Sequence, residues 1–155
     1  LRNTYEDSAL VLRSAGDSHA PNDEIAKNLS SQIKGSLAKQ IGKIPIVISL
    51  IDLDLVKDGK SSYGIAFKLR EDAKPYEDPI LANNGSFRSE DVSIETGLPI
   101  KLENGNRTLY TRKDGLSRLC LNRYLVLGSD GWYMADSGSG GRVVIVRGEA
   151  TRIAQ

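Results

Sequence analysis

Ile25, Leu29, Ile33, Leu37 and Ile41 recur at every fourth position between residues 22 and 42. In a helix that interval lays the side chains along one slowly drifting stripe, so the segment predicts a single long helix with one buried side. Pro21 and the Asn22-Asp23 pair supply its start, with a side-chain oxygen for an otherwise unpaired N–H. Gly42, between Lys39 and Lys43, supplies the stop. Gly35 inside costs about 1 kcal/mol relative to alanine, a penalty that packing can override.

The period then changes. In KIPIVISLIDLDLV (43–56), Val47, Ile51, Leu53 and Leu55 make one apolar row. Ile46, Ile48 and Leu50 make the other, until Asp52 and Asp54 replace it. This predicts a strand buried on both faces in its first half and on one face in its second. KDGKSS (57–62) is a turn by composition. Beyond it Tyr63, Ile65, Phe67 and Leu69 alternate with Gly64, Ala66, Lys68 and Arg70, which completes a long antiparallel hairpin.

The remaining segments are less regular. Residues 1–21 hold one apolar cluster, ALVL at 9–12, followed by RSAGDSHAP, and are expected to be an N-terminal arm or linker. Residues 71–90, with two prolines, predict a long loop. Short strands are expected at 91–95, 98–103 and 107–112, with the turn ENGN between the last two, and VVIV (143–146) predicts a terminal strand. Leu116, Leu119, Cys120 and Tyr124 stand at helical spacing after Asp114, a suitable cap, so a second short helix is expected near 115–125. The fold class is α+β: one long N-terminal helix packed on a mostly antiparallel sheet, with residues 22–155 as a single domain.

Composition narrows the function without naming it. The 155 residues are 39% hydrophobic and 26% charged, as in an ordinary globular domain. Net charge is only +1, yet residues 71–95 hold seven acids against two bases, and residues 101–127 hold six bases against two acids. Such a bipolar chain can meet a charged partner, while nucleic-acid binding goes with a clearly basic domain and is not expected. No apolar run reaches the length of a membrane helix. Cys120, alone in the chain, makes no internal disulfide and reads as a small core residue within Leu-Cys-Leu. His19 is the one histidine, which argues against a His-based triad and a zinc site of usual type; no metal or cofactor is expected. Asp52, Asp54, Asp58 and Gly59 miss the EF-hand spacing, and SGSGG before a strand lacks the lysine and the helix of a phosphate-binding loop.

Two stretches carry the candidate contacts. Arg112, Lys113 and Arg118 lie in a basic, tyrosine-bearing stretch, and Trp132-Tyr133 sit in a glycine-rich polar loop where aromatics can project towards a ligand. The chain begins at Leu1, which a removed signal peptide would fit, so an exported (periplasmic or extracellular) protein is expected, with the cytoplasm left open. With no catalytic constellation in view, the expectation leans away from an enzyme. It is a non-catalytic exported or surface-associated binding module for a protein or a glycan. The alternative is a small hydrolase that uses paired carboxylates, since acids are plentiful.

Overall fold

A computed structural model of the chain describes residues 6–121 and 126–129. The apolar cluster near the N-terminus, expected in a loose arm, is part of β1 (Glu6–Leu12), an interior strand of the sheet. β1 pairs antiparallel with β2 (Ile46–Ser49) on one side and with β8 (Leu116–Leu121) on the other. Leu12 faces Ile46 across one ladder and Leu116 across the other. With neighbours on both edges and both faces, a strand needs no polar row. ALVL is therefore continuously apolar, and the expectation of a linker is corrected for these residues.

The two faces of β1 feed two cores. Leu10 and Leu12 join Ile46, Ile48 and Leu116 beneath α1 (Ala20–Gln32), which contributes Ala26, Leu29 and, just past its end, Ile33. Ala9 and Val11 join Val47 and Leu119 on the other face, against Leu81, Phe87, Leu98, Leu109 and Leu127. Each fully buried leucine here contributes about 1.5–3 kcal/mol of transfer free energy. The outer strands are β5 (Tyr76–Glu77), β6 (Gly85–Phe87), β7 (Arg107–Thr111) and β9 (Leu127–Ser129), in the order β5-β2-β1-β8-β9-β7-β6 among the described residues. Every pairing is antiparallel except β7 with β9, so the mostly antiparallel sheet of an α+β fold stands.

Two helical expectations need correction. The segment 22–42 is not one helix: α1 ends at Gln32, Ile33 and Lys34 are extended, and α2 (Gly35–Ala38) is a single further turn. Gly35 adopts φ +68°, a conformation that suits glycine, and the Gln32 side chain is tied to a strand, so the chain turns there. The stripe itself is sound. Leu29 and Ile33 are buried, and Ile25, Leu37 and Ile41 pack at the margin of the same core. The short helix near 115–125 is instead strand β8 over Leu116–Leu121; residues 122–125 lie outside the described part. Its Leu116 packs under α1, while Ser117 and Leu119 face the opposite core and Arg118 and Cys120 are half-buried. The leucine spacing that suggests a helix thus comes from a strand whose first residues are buried on both faces. The helix also starts earlier than Asn22, at Ala20, with Pro21 in its first turn.

The hairpin is present in altered form. The run 46–56 breaks at a 3-10 turn (Leu50–Asp52), so that its first half is β2 of the large sheet. Its second half, β3 (Leu53–Lys57), pairs with β4 (Ile65–Leu69) as a separate two-stranded sheet. In place of strands at 91–95 and 98–103 there is a 3-10 turn (Ser89–Asp91) and one bridge, Val92 to Pro99. VVIV lies outside the described residues. No helix among those described is long and apolar enough to cross a membrane.

Candidate binding site

Alternation places Leu53, Leu55, Ile65, Phe67 and Leu69 on one face of the hairpin. At its base Leu53, Phe67 and Leu69 lean on the core under α1. Towards its tip the same face runs out past the core. Leu55 is 66% exposed, Ile65 47% and Tyr63 46%.

α1 lies alongside β4 and holds the hairpin at two points. Near its start, Glu24 accepts hydrogen bonds from the Ser62 N–H (3.0 Å) and the Ser62 hydroxyl (2.6 Å). The hydroxyls of Ser62 and Ser61 and the Ser62 N–H hold the Glu24 carboxyl below its ordinary pKa. At the far end the Gln32 amide donates to Phe67 O and accepts from the Leu69 N–H, both at 2.9 Å. Eight residues of helix separate the clips, about 12 Å. Between them lies an open hollow of about 440 Å³ lined by Ile25, Leu55, Tyr63, Ile65, Ala66 and Phe67, with Asn28, Asp58 and Lys60 at its rim. That volume lies within the range of pockets that take small ligands or single side chains, and the lining is mainly apolar. Replacing Gln32 with alanine is expected to destabilise the chain by about 1–2 kcal/mol, because the Phe67 and Leu69 backbone groups lose a partner in a half-buried setting. Urea unfolding measures this, and a cost below about 0.3 kcal/mol would show that the clip is incidental.

The sequence-derived contact residues scatter. Arg112 is turned inward. Its side chain is only 8% exposed and meets Asp17 at 3.0 Å and the Leu116 carbonyl at 3.1 Å. Burial disfavours the Asp17 carboxylate. The His19 and Leu116 N–H groups and the Arg112 guanidinium outweigh burial and hold its pKa below the ordinary value. Asn22, fully buried, donates to the Leu116 carbonyl and completes this latch between the start of α1 and the β7–β8 turn. Lys113 is exposed in that turn, and Arg118 pairs with Asp7 at 3.3 Å. Trp132 and Tyr133 lie outside the described residues.

Arg13, which the sequence did not single out, is a second buried cation. It donates to the Ser117 and Ser129 hydroxyls (2.9 and 2.8 Å), to Thr111 Oγ1 and to the Leu81 and Ser129 carbonyls. It thereby ties β7, β8 and β9 together inside the curl of the sheet.

The shielded acids are engaged in the fold. Asp17 faces Arg112, and Asp91 is met by Lys101 at 3.4 Å. Asp78, whose pKa burial raises against the lowering effect of the Ile80 N–H, caps the 3-10 turn Pro79–Ala82. The acids that miss the EF-hand spacing are engaged separately: Asp52 accepts from the Lys74 N–H, Asp54 faces Arg70, and Asp58 caps its own turn. Among the described residues no three His, Cys, Asp or Glu side chains converge.

What sequence reasoning missed is that the hairpin's apolar row is left partly uncovered. The row was legible from alternation, but its exposure depends on how α1 lies along the hairpin. Comparison of the chain with protein-family profiles, curated proteins and solved structures finds no match.

Proposed function

We propose that the chain is a non-catalytic binding module that takes an apolar segment of a partner protein on the exposed face of the β3–β4 hairpin. One observation carries this reading: Leu55, Tyr63 and Ile65 stand together in solvent beside a hollow that α1 holds open with two polar clips. Three large apolar side chains on one short hairpin tip cost solubility unless something covers them. The exposed lining is mainly apolar, which favours an apolar protein side chain over a glycan, whose hydroxyls need polar partners throughout. Export remains part of the proposal, and fractionation of cells carrying the gene with its native N-terminus tests it.

Panning a phage-displayed random peptide library on the immobilised chain tests the binding. Peptides bearing apolar residues are expected to be enriched, and Ile65→Asp is expected to weaken them at least tenfold. The melting temperature should stay within about 2 °C, because Ile65 is half in solvent. No enrichment over the blank support, or equal binding by Ile65→Asp, would sink the reading.

A further inference from the structure

The hairpin has two edges, and the fold treats them differently. Asp58 donates its N–H to Gly64 O and Arg70 its N–H to Asp52 O, both at 3.0 Å; between these, the register sets Val56 opposite Ala66 and Asp54 opposite Lys68. The ladder therefore runs through even-numbered residues, and odd-numbered residues turn their N–H and C=O groups outward. On β4 the outward edge is covered by α1, where the Gln32 amide has taken the Phe67 carbonyl and the Leu69 N–H in the manner of a strand residue. On β3 the Leu53 N–H bonds back to Leu50 O, but the Leu53 carbonyl and both groups of Leu55 and of Lys57 face no strand, since among the described residues β3 pairs only with β4.

We propose that this free edge of β3 accepts an extended segment of a partner protein as the third strand of the hairpin sheet. The inference rests on the binding role proposed above and adds how the partner is held: main-chain hydrogen bonds to Leu55 and Lys57, with an apolar side chain laid against Leu55.

Charge decides which occupant fits. A second copy of the chain would pair β3 antiparallel with itself, centred on Asp54, Leu55 or Val56 so that like faces stay together. The first register sets Asp54 against its own copy. The second sets Asp52 against Asp58 at both ends, and the third sets Asp54 against Asp58. Like charges directly opposite each other destabilise a pairing, so each self-register carries a penalty. A different chain has no such conflict. Asp54 is 54% exposed and reaches its nearest cation, Arg70, only at 3.8 Å, so it is open to a basic residue on an added strand. Lys57 in turn favours an acid. Read from opposite Lys57 to opposite Leu53, the fitting segment is acidic, any β-former, apolar, basic, apolar.

The test uses the tightest peptide from the panning, labelled with fluorescein, and measures its anisotropy with wild type and with Lys57→Pro. Proline at 57 removes one outward N–H while leaving the β3–β4 ladder and the Leu55 patch in place. Binding is expected to weaken at least tenfold with an unchanged melting temperature. Amide exchange at Leu55 and Lys57 in the wild-type chain is expected to slow when the peptide binds, a readout that holds even if the proline variant fails to fold. A peptide sensitive to Ile65→Asp that binds Lys57→Pro within twofold and leaves both amides unprotected overturns strand addition while the binding role stands. Absence of any selected peptide overturns both. Wild-type dimers in sedimentation velocity that Lys57→Pro dissolves would make a second copy the occupant, against the proposal.

Discussion

Replacing Arg112 with leucine is expected to destabilise the chain by about 3–5 kcal/mol, because it strands the Asp17 carboxylate among buried groups with its cation gone. For a chain of this size that corresponds to a fall in melting temperature of roughly 10 °C or more. The loss should depend on pH in a defined sense. In the wild type the folded Asp17 pKa lies below the ordinary value. Its contribution is therefore fully present above pH about 4 and is lost as pH falls through the lowered folded value. Without the guanidinium, burial is opposed by the His19 and Leu116 N–H groups and the more distant Asn22 amide (3.5 Å), and the carboxyl pKa rises. The gap between wild type and variant should be widest near neutrality and narrow below pH about 4. Urea unfolding at pH 7 and at pH 3.5 measures it, and a gap of equal size at both would show that Asp17 is not the group involved. Adding Asp17→Asn to the variant should recover part of the loss at pH 7, since an amide in that position carries no unpaired charge.

Gly115→Ala is expected to cost on the order of 3 kcal/mol, through a different mechanism in the same latch. Gly115 has φ +72°, where an L side chain is strained, and a Cβ there would overlap Asp17 Oδ2. Asp17 has nowhere to retreat: its two oxygens accept from His19 N and Leu116 N, each at 2.8 Å, and from Arg112. A drop of roughly 10 °C by scanning calorimetry is the expected result. A change under 2 °C would mean that the turn has room to rearrange. The basic stretch 107–118 thus includes a stability element, and its most basic-looking turn, Arg112-Lys113, offers only Lys113 to solvent.

Much of the local structure was legible in the residues. The fourfold repeat from Ile25 marks the side of α1 that is buried, and the alternation from Ile65 to Leu69 marks β4 and the face it shares with Leu55, while Tyr63, expected in the strand, stands in the turn before it. Where the sequence misled, two periods were both compatible with the same letters. Leu116, Leu119 and Cys120 fit a helix by spacing and a doubly buried strand by content, and ALVL fits a linker cluster or a central strand. The candidate site was half visible. Alternation shows that Leu55 and Ile65 belong to one face, but only the structure brings Tyr63 beside them and shows that the face is uncovered. Gln32 and Glu24, which fix the hairpin against α1, are ordinary polar residues at ordinary helical positions and gave no signal.

By itself the sequence determined period, turn and charge: which side chains share a face, where glycine lets the chain reverse, and that acids and bases lie in separate segments. These follow from bond geometry between residues a few positions apart. The tertiary structure alone decided burial. Leu12 meets Leu116 across β1 and β8, Arg13 reaches Ser117 and Ser129, and Arg112 meets Asp17, contacts between residues roughly a hundred positions apart. Whether an apolar row becomes core or remains an exposed edge is set by which distant element comes to rest on it. On this hairpin α1 comes to rest on β4, and among the described residues no element pairs with the other edge of β3.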